Sequence, residues 1–195
     1  KAKHLATLYL EDISDFIVEC VDPNFGFSRY AERLGRSANS FDELYQALQQ
    51  EPTYIDAILL SILAAKIETI QPSVFLISVP FPGNLYAAFR SAQWLKNHHP
   101  EIKILMGGGF ANTELRSLSD ERVFEFFDFI SLDDGELPLE LIIENIESGL
   151  NSEFKRTFFF FFGKVVYKNN SPRHDYKQAH VGTPDYSDLL LDKYI

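Results

Sequence analysis

Serine and glycine residues at the ends of two predicted strands carry the strongest chemical signal in this sequence. Ser78 lies near the end of the apolar run 74–79, and the glycine triplet 107–109 directly follows the apolar run 102–106. The intervening segment 81–106 contains 26 residues, which suits one helix and one strand. Both runs are therefore predicted to be parallel strands ending at the same sheet edge, where ligands usually bind. The Ser78 hydroxyl would face this crevice, and glycines let a backbone approach a bulky ligand closely.

The same residues also have a purely structural interpretation. The glycine triplet would serve a tight turn from strand to helix, and Ser78 would be solvated or would cap a helix. The triplet matches neither the GxGxxG pattern nor a phosphate-binding loop, because no Lys-Ser/Thr pair follows it. Binding of a nucleoside triphosphate is therefore not predicted.

Further polar candidates follow the second and third predicted strands. The loop Asp133-Asp134-Gly135-Glu136 brings three carboxylates together, which could bind a metal ion or a polar ligand group. Alternatively, Asp134 caps the next helix and Glu136 lies in its first turn, where the helix dipole favours negative charge. Asn112, after the glycine triplet, offers neutral donors and acceptors for a ligand rich in amides, or is an ordinary helix N-cap.

Other site chemistries have little support in this chain. The histidines are isolated, and none is paired with a plausible nucleophile, so a hydrolase triad is not predicted. Cys20 is the only cysteine, which excludes a disulfide framework, an iron–sulfur cluster or a structural zinc site built from cysteines of this chain.

Composition limits the partners and the location. The formal net charge is −10 and no run of basic residues is present, so neither a nucleic acid nor an anionic membrane is an expected partner. The chain shows no signal peptide and no apolar run of about 18 residues, and we expect a cytoplasmic protein. Because it begins with Lys1 and Met106 is its only methionine, we expect a piece of a longer protein.

The first 70 residues are predicted to be mostly helical. Apolar residues recur at helical spacing over 5–21. A second helix is predicted to begin at Ser40, with Glu43 completing a capping box. A third runs from about Pro52, a favourable first-turn residue, to about Glu68.

From Pro72 onward, strands and helices alternate, which predicts parallel pairing. The run 74–79 is typical of a strand buried on both faces. The five consecutive phenylalanines 158–162 are expected to be covered by this chain on one side and by another domain on the other. The predicted strands are 74–79, 102–106 and 128–132; the helices are 85–98, 112–118, 121–127 and 137–148; a ribbon pairs 156–162 with 164–168 through a turn near Gly163.

These elements predict an α/β fold: a Rossmann-like parallel sheet flanked by helices, with a helical N-terminal segment and a C-terminal β-ribbon. The expected organisation is a helical segment over 1–70, an α/β domain over 71–150, and a ribbon and linker over 151–195. Three parallel strands are few for a doubly wound sheet, so further strands are expected before Lys1.

Four motifs together give this chain a family resemblance. They read Ser-Val-Pro-Phe-Pro-Gly-Asn-Leu-Tyr (78–86), Gly-Gly-Gly-Phe-Ala-Asn-Thr-Glu-Leu-Arg (107–116), Asp-Asp-Gly-Glu (133–136) and Gly-Thr-Pro-Asp-Tyr (182–186). The pattern resembles the N-terminal region of cobalamin-binding-domain radical SAM proteins, a group that includes enzymes similar to magnesium-protoporphyrin IX monomethyl ester cyclase. The likeness covers about residues 70–195.

The resemblance implies cobalamin as cofactor and a cobalamin-binding-like domain. It implies that the Ser78 hydroxyl hydrogen-bonds the dimethylbenzimidazole tail and that Gly107, Gly108 and Gly109 make room for that tail. The residues expected at the rim of this cofactor site are Pro80, Asn84, Asn112, Asp134 and Glu136.

Two family motifs are missing from this chain. The segment 31–40, where the family places the histidine that binds cobalt, contains no histidine, so cobalamin is expected without an axial imidazole from this chain. The CxxxCxxC motif is also absent. The resemblance therefore implies that the [4Fe–4S] cluster and S-adenosylmethionine bind in a radical SAM domain beyond Ile195. That domain and a small-molecule substrate are the expected partners.

The whole protein would then be a methyltransferase or a cyclase-type oxidoreductase, and this part would not itself be catalytic. Two alternatives remain open. The domain has lost cobalamin and is a scaffold that docks on the radical SAM barrel, or it is a sensor similar to a receiver domain. The sensor would need Asp133 or Asp134 as a phosphorylatable residue.

Overall fold

The structure is a computed structural model that describes residues 1–27, 30–36, 41–150, 152–183, 185–187 and 189. Its helices are α1 (Ala2–Cys20), α2 (Glu32–Arg36), α3 (Asp42–Leu48), α4 (Tyr54–Ile70), α5 (Leu85–His98), α6 (Gly109–Glu114) and α7 (Glu136–Ser148). Its strands are β1 (Val74–Ser78), β2 (Lys103–Gly107), β3 (Phe129–Ser131), β4 (Thr157–Phe161) and β5 (Lys164–Lys168). Short 3-10 helices span Pro82–Asn84, Glu121–Glu125 and Gln178–His180.

The five strands form one mixed sheet in the order β1-β2-β3-β4-β5. β1, β2 and β3 run parallel, whereas β4 and β5 are antiparallel additions. Parallel strands need a crossover, and α5 supplies it between β1 and β2. The predicted α/β class, the parallel pairing, the helical N-terminal segment and the C-terminal ribbon are thus confirmed.

Helices cover both faces of the sheet. On one face, α5 and the helices α2 to α4 pack in a single cluster that includes Phe89, Ile104 and Ile130. On the other face, α7 contributes Ile142 to a smaller cluster with Leu105. The first 70 residues therefore share a hydrophobic core with the α/β region, except α1, which has no buried residue.

β1 is an edge strand, and the prediction that it is buried on both faces is wrong. Side chains alternate along a strand, so Val74, Leu76 and Ser78 share one face. Val74 reaches the cluster on the α7 side, but Leu76 is 51% exposed and Ser78 is exposed. β1 lies at the edge of the sheet and has a neighbouring strand only on its β2 side.

Several helix boundaries differ from the predicted ones. α4 begins after the N-cap Thr53, whose hydroxyl accepts a hydrogen bond from the backbone N–H of Asp56 in a capping box, so Pro52 lies outside it. The predicted N-cap Ser40 lies outside the described residues. α6 already begins at Gly109, because the glycine triplet turns the chain directly into the helix.

A group of polar side chains joins the N-terminal helices to α5, and we call it the buried cluster: Asp56, Tyr86 and Arg90 are buried, and Tyr30 is half-buried. Arg90 Nε lies 3.2 Å from Asp56 Oδ2, and the Tyr86 hydroxyl donates to the same oxygen at 2.7 Å. Arg90 also donates to the carbonyl of Leu48 at 3.0 Å. Tyr30 packs against the Tyr86 ring. This network ties α3 and α4 to the helix that follows β1.

The C-terminal ribbon turns at Phe162 and Gly163, which both have positive φ angles, as a two-residue hairpin turn requires. Of the five phenylalanines, Phe158 and Phe159 are buried in the clusters on the two faces of the sheet. Phe162, at the turn, is 89% exposed. The predicted covering by this chain thus holds only for the first part of the run.

The segment after the ribbon was expected to be a linker, yet its first part packs on α7. Arg173 forms ion pairs with Glu140 and Glu144, and the Tyr176 hydroxyl donates to Glu140. Among the described residues, no helix is both long enough and apolar enough to span a membrane.

Candidate functional site

The carboxyl ends of β1 and β2 lie side by side, as predicted. Ser78 is directly opposite Gly107 in the parallel register. The backbone N–H of Val79 donates to the Gly107 carbonyl at 2.8 Å. Beside these strand ends lies a cavity of about 370 Å³, which we call the strand-end cavity.

The strand-end cavity has a polar side and an apolar side. Ser78 and Ser131 contribute hydroxyl groups, and Asp133 and Glu136 contribute carboxylates. The apolar residues come from the middle of the strands and from α7. The full lining comprises Leu76, Ile77, Ser78, Leu105, Met106, Gly107, Gly108, Ser131, Asp133, Gly135, Glu136 and Leu139.

Two of the three glycines allow the loop after β1 to pack tightly against the loop after β2. Gly108 has a φ of +99°, and a Cβ there would lie 2.8 Å from the backbone N and O of Val79 and 2.9 Å from Ser78 Oγ. A Cβ at Gly109 would lie 2.8 Å from the Pro80 carbonyl oxygen. The space around these glycines is thus occupied by the chain itself.

Gly107 differs from its two neighbours. A Cβ at this position would lie 3.1 Å from Ser131 Oγ, and its φ is not in the left-handed region. A serine hydroxyl can rotate away from such a contact. Gly107 therefore tolerates a small side chain more readily than Gly108, although both line the strand-end cavity.

Charged groups surround the loop after β3, and we call Arg116, Asp133, Arg156 and Asp175 the rim cluster. Asp133 has a φ of +59°, a conformation that aspartate adopts more readily than most residues. Its backbone N–H donates to Asn112 Oδ1 at 2.7 Å, and its carboxylate pairs with Arg116. These contacts hold Asp133 beside the cavity.

Arg156 holds the same loop from the ribbon side. It donates to the backbone carbonyls of Leu132 at 3.3 Å and Asp134 at 2.9 Å. It also donates to both carboxylate oxygens of Asp175, at 2.6 and 2.9 Å. This hydrogen-bonded guanidinium lowers the pKa of Asp175, and Asp175 in turn raises the pKa of Arg156. Asp175 therefore stays ionised and anchors Arg156.

The nine predicted site residues separate into two groups. The strand-end cavity is lined by Ser78, Gly107, Gly108 and Glu136. The other five are not in its lining: Pro80 and Gly109 pack against each other, Asn84 is an exposed residue before α5, Asn112 supports Asp133, and Asp134 is exposed.

The proposed structural role of the acidic loop is confirmed only in part. Glu136 lies in the first turn of α7, as predicted, but the N-cap is Gly135 and no side chain caps the helix. Asp134 is therefore not the cap. Among the described residues, no group of three or more histidine, cysteine, aspartate or glutamate side chains is placed to hold a metal ion.

Sequence reasoning missed several residues of the site. Ser131 ends β3 in the same way that Ser78 ends β1, so comparing the polar residues at strand ends would have found it. Leu76 was missed because β1 was expected to be covered on both faces. Arg156 lies 22 residues after Asp134, and no local pattern connects them.

Within the parts of the chain that the structure describes, no histidine lines the strand-end cavity. His98 ends α5, and His99 is its C-cap in the loop that leads to β2. Both therefore lie at the amino end of β2, whereas the cavity lies at the carboxyl ends of the strands. The surroundings of the cavity offer hydroxyl groups, carboxylates and backbone amides rather than imidazole.

A second cavity, of about 390 Å³, lies between the N-terminal helices and the segment after α6. Its lining includes Leu34, Phe41, Phe89 and Phe110 on the apolar side and Asp120 on the polar side. Asp120 accepts hydrogen bonds from the Arg122 side chain, which lowers the pKa of Asp120. None of the nine predicted site residues lines this cavity.

Comparisons of the chain with protein-family models, with curated proteins and with solved structures found no match.

Proposed function

We propose that this chain is the cobalamin-binding-like region of a radical SAM enzyme, with a Rossmann-like arrangement of β1, β2 and β3. The strand-end cavity receives the dimethylbenzimidazole tail of the cofactor. The observation that carries this proposal is the placement of Ser78 opposite Gly107 at the mouth of the cavity. It agrees with the four motifs on which the family resemblance depends.

The residues around the cavity fit the chemistry of such a tail. An aromatic ring needs an apolar slot, and Leu76 and Leu105 on the sheet together with Leu139 on α7 provide one. A ring nitrogen needs a hydrogen-bond donor, and the Ser78 hydroxyl is exposed at the polar end of the slot. Cavities of this size, apolar with a few polar groups, are typical of small-molecule sites.

The rim then contacts the amide groups of the corrin ring. Glu136 accepts hydrogen bonds from amides there, and Asn112 acts indirectly because it holds Asp133 in place. The segment 31–40, where the family resemblance places the cobalt-binding histidine, contains no histidine, so cobalamin would bind without an imidazole from that segment. When bound, cobalamin supplies the chemistry of methyl transfer or cyclase-type oxidation, whereas the chain itself binds and orients the cofactor.

Absorbance titration of the full-length protein with hydroxocobalamin tests this proposal. We expect saturable binding with one cofactor per chain. Ser78→Ala should weaken it roughly 2- to 12-fold, the equivalent of one hydrogen bond. Leu76→Trp should fill the slot and weaken binding further. Ser73→Ala, an exposed serine before the other end of β1, is the matched control and should bind normally.

Two results would contradict the proposal. One is the absence of any saturable spectral change with the unaltered protein. The other is binding that responds equally to Ser78→Ala and Ser73→Ala, because such binding would not use the strand-end cavity. Glycine variants are unsuitable for this test, since Gly108 and Gly109 contact the chain itself.

The packing of Gly108 and Gly109 against the chain itself favours a second candidate function. In this function the chain is a scaffold without cobalamin that docks on a radical SAM barrel. Packing against Val79 and Pro80 accounts for Gly108 and Gly109 without any ligand. This candidate predicts no cobalamin binding but a stable complex with the separately produced radical SAM domain, measurable by calorimetry. Substitutions at Ser78 would leave that complex unchanged.

A further inference from the structure

We propose that α1 is a dimerisation helix that pairs in antiparallel orientation with α1 of a second copy of this chain. The proposal is independent of cofactor binding, because α1 contributes nothing to the strand-end cavity. It depends on the apolar face of α1 and on the distribution of its charges.

α1 is a 19-residue helix, about 28 Å long, that the other described residues leave uncovered. None of its residues is buried, and only Ser14, Ile17 and Val18 reach intermediate burial. A helix with so little tertiary packing needs a partner, since most helical stability in proteins comes from the packing of an apolar face.

One face of α1 is an exposed apolar stripe. Leu5, Tyr9, Ile13 and Phe16 follow one another at intervals of four, four and three residues and therefore lie on one face. Their exposed fractions are 48%, 69%, 47% and 63%. Ala2 and Cys20 continue the same face at the two ends of the helix. A contiguous apolar surface of this kind marks an interaction site.

The charges of α1 identify the partner. Lys1 and Lys3 lie at its amino end, whereas Glu11, Asp12, Asp15 and Glu19 all lie in its second half. This order opposes the helix dipole, which favours acidic residues at the amino end and basic residues at the carboxyl end. The distribution is thus unfavourable for an isolated helix.

An antiparallel second copy resolves that conflict. It places the acidic half of each helix along the basic end of the other, and Lys1 and Glu19 of two copies lie on the same flank of the pair. Leu5 of one copy then faces Phe16 of its partner. A parallel pair would instead place like charges together, which is unfavourable. Because both copies use the same surface, the contact closes as a two-fold dimer.

The single cysteine of the chain provides a built-in test of orientation. Cys20 is free and exposed at the carboxyl end of α1. In the antiparallel dimer the two Cys20 residues lie about 27 Å apart, too far for a disulfide, so the unaltered protein should not cross-link on oxidation. Ala2→Cys places a thiol opposite the partner's Cys20 and should give a covalent dimer. Thr7→Cys, on the opposite face, is the matched control and should not.

The oligomeric state itself is measured by sedimentation equilibrium on the full chain. We expect a dimer whose dissociation constant rises at least about tenfold in Phe16→Glu. Lys1→Glu should also weaken the dimer, although it suits the helix dipole better. Adding Glu19→Lys, on the same flank, should restore it, which a loss of helix structure could not explain.

Three results would overturn the proposal. A monomer at every soluble concentration would show that another partner covers α1, and cosedimentation of that monomer with phosphatidylcholine vesicles would assign the face to a membrane surface. A Cys20–Cys20 disulfide in the unaltered protein would indicate parallel pairing. A dimer that Phe16→Glu leaves intact would place the interface elsewhere.

Discussion

The buried cluster and the rim cluster both consist of ion pairs and hydrogen bonds, but they differ in their contact with water. In the buried cluster, the Arg90 and Asp56 side chains are 4% and 1% exposed. In the rim cluster, Arg116 and Asp133 are 55% and 38% exposed, and only Arg156 is largely covered, at 13%. The first joins the N-terminal helices to α5, whereas the second holds the loop after β3, from which Asp133 lines the strand-end cavity.

Burial changes both the energetics and the pH response of these clusters. Breaking a buried pair leaves an uncompensated charge without water, whereas an exposed pair is replaced by hydration. Burial also raises the pKa of Tyr86 to about 12 and raises the pKa of Tyr30, whereas the Arg156 guanidinium lowers the pKa of Asp175. The Arg90–Asp56 pair of the buried cluster is thus shielded from water, whereas the Arg116–Asp133 pair of the rim cluster is hydrated.

The largest expected effect on the free energy of unfolding comes from breaking the buried ion pair between Arg90 and Asp56. Arg90→Met should lower the free energy of unfolding by about 3–5 kcal/mol. It leaves Asp56 as an unpaired buried carboxylate and removes a hydrogen bond from the Leu48 carbonyl. Urea denaturation followed by circular dichroism measures the loss. A loss below about 1 kcal/mol would mean that the cluster is hydrated like the rim.

Alkaline pH provides a second test of the buried cluster. Tyr86 has an ordinary pKa near 10 when unfolded and a pKa of about 12 when folded. Its raised pKa contributes stability that is complete below about pH 10 and is lost as the pH rises through the folded value, roughly 2–3 kcal/mol in all. Tyr86→Phe should therefore reduce the alkaline loss of stability, measured by urea denaturation at a series of pH values. An unchanged alkaline loss would show that Tyr86 titrates normally.

A substitution that strains the backbone at the strand ends should have an intermediate effect on the free energy of unfolding. Gly108→Ala forces a Cβ into contact with Val79 at a φ of +99° and should cost about 1–3 kcal/mol. Gly135→Ala is the matched control, because a Cβ at Gly135 would have no neighbour within 4 Å and the φ there is an ordinary −86°. We expect a change of no more than about 0.5 kcal/mol at that position. Equal effects at both positions would contradict the close approach of the two loops.

The smallest expected effect on the free energy of unfolding comes from a substitution in the rim cluster. Arg116→Met removes the exposed ion pair with Asp133 and should lower the free energy of unfolding by less than about 1 kcal/mol. The decrease should be smaller at high salt, which screens the pair. Differential scanning calorimetry at two ionic strengths measures it. A cost as large as that of Arg90→Met would remove the distinction between the two clusters.

Much of the fold was predictable because it depends on local patterns. α5 runs from Leu85 to His98, the range that its apolar stripe predicts. The strand ends carrying Ser78 and Gly107 were also predictable, since a strand–helix–strand unit has one common arrangement. Of the cavity lining, the sequence predicted residues at a strand end or in the loop after it, namely Ser78, Gly107, Gly108 and Glu136.

The remaining contacts depend on residues distant in sequence. Asp56 and Arg90 are 34 positions apart in the chain and meet only because α4 packs on α5. Arg156 reaches the loop after β3 because β4 pairs antiparallel with that strand. Neither contact leaves a periodic signal.

The sequence alone determined the order and type of most elements, the parallel unit, and the edge of the sheet at which Ser78 and Gly107 meet, but it did not predict α2. Hydrophobic periodicity and turn residues act over a few positions, so they can be recognised without coordinates. Only the tertiary structure decided that β1 is exposed on one face, that Gly108 and Gly109 contact the chain's own loop, and that α1 is uncovered by the other described residues. These features depend on which distant segments meet, and that depends on how the whole chain packs.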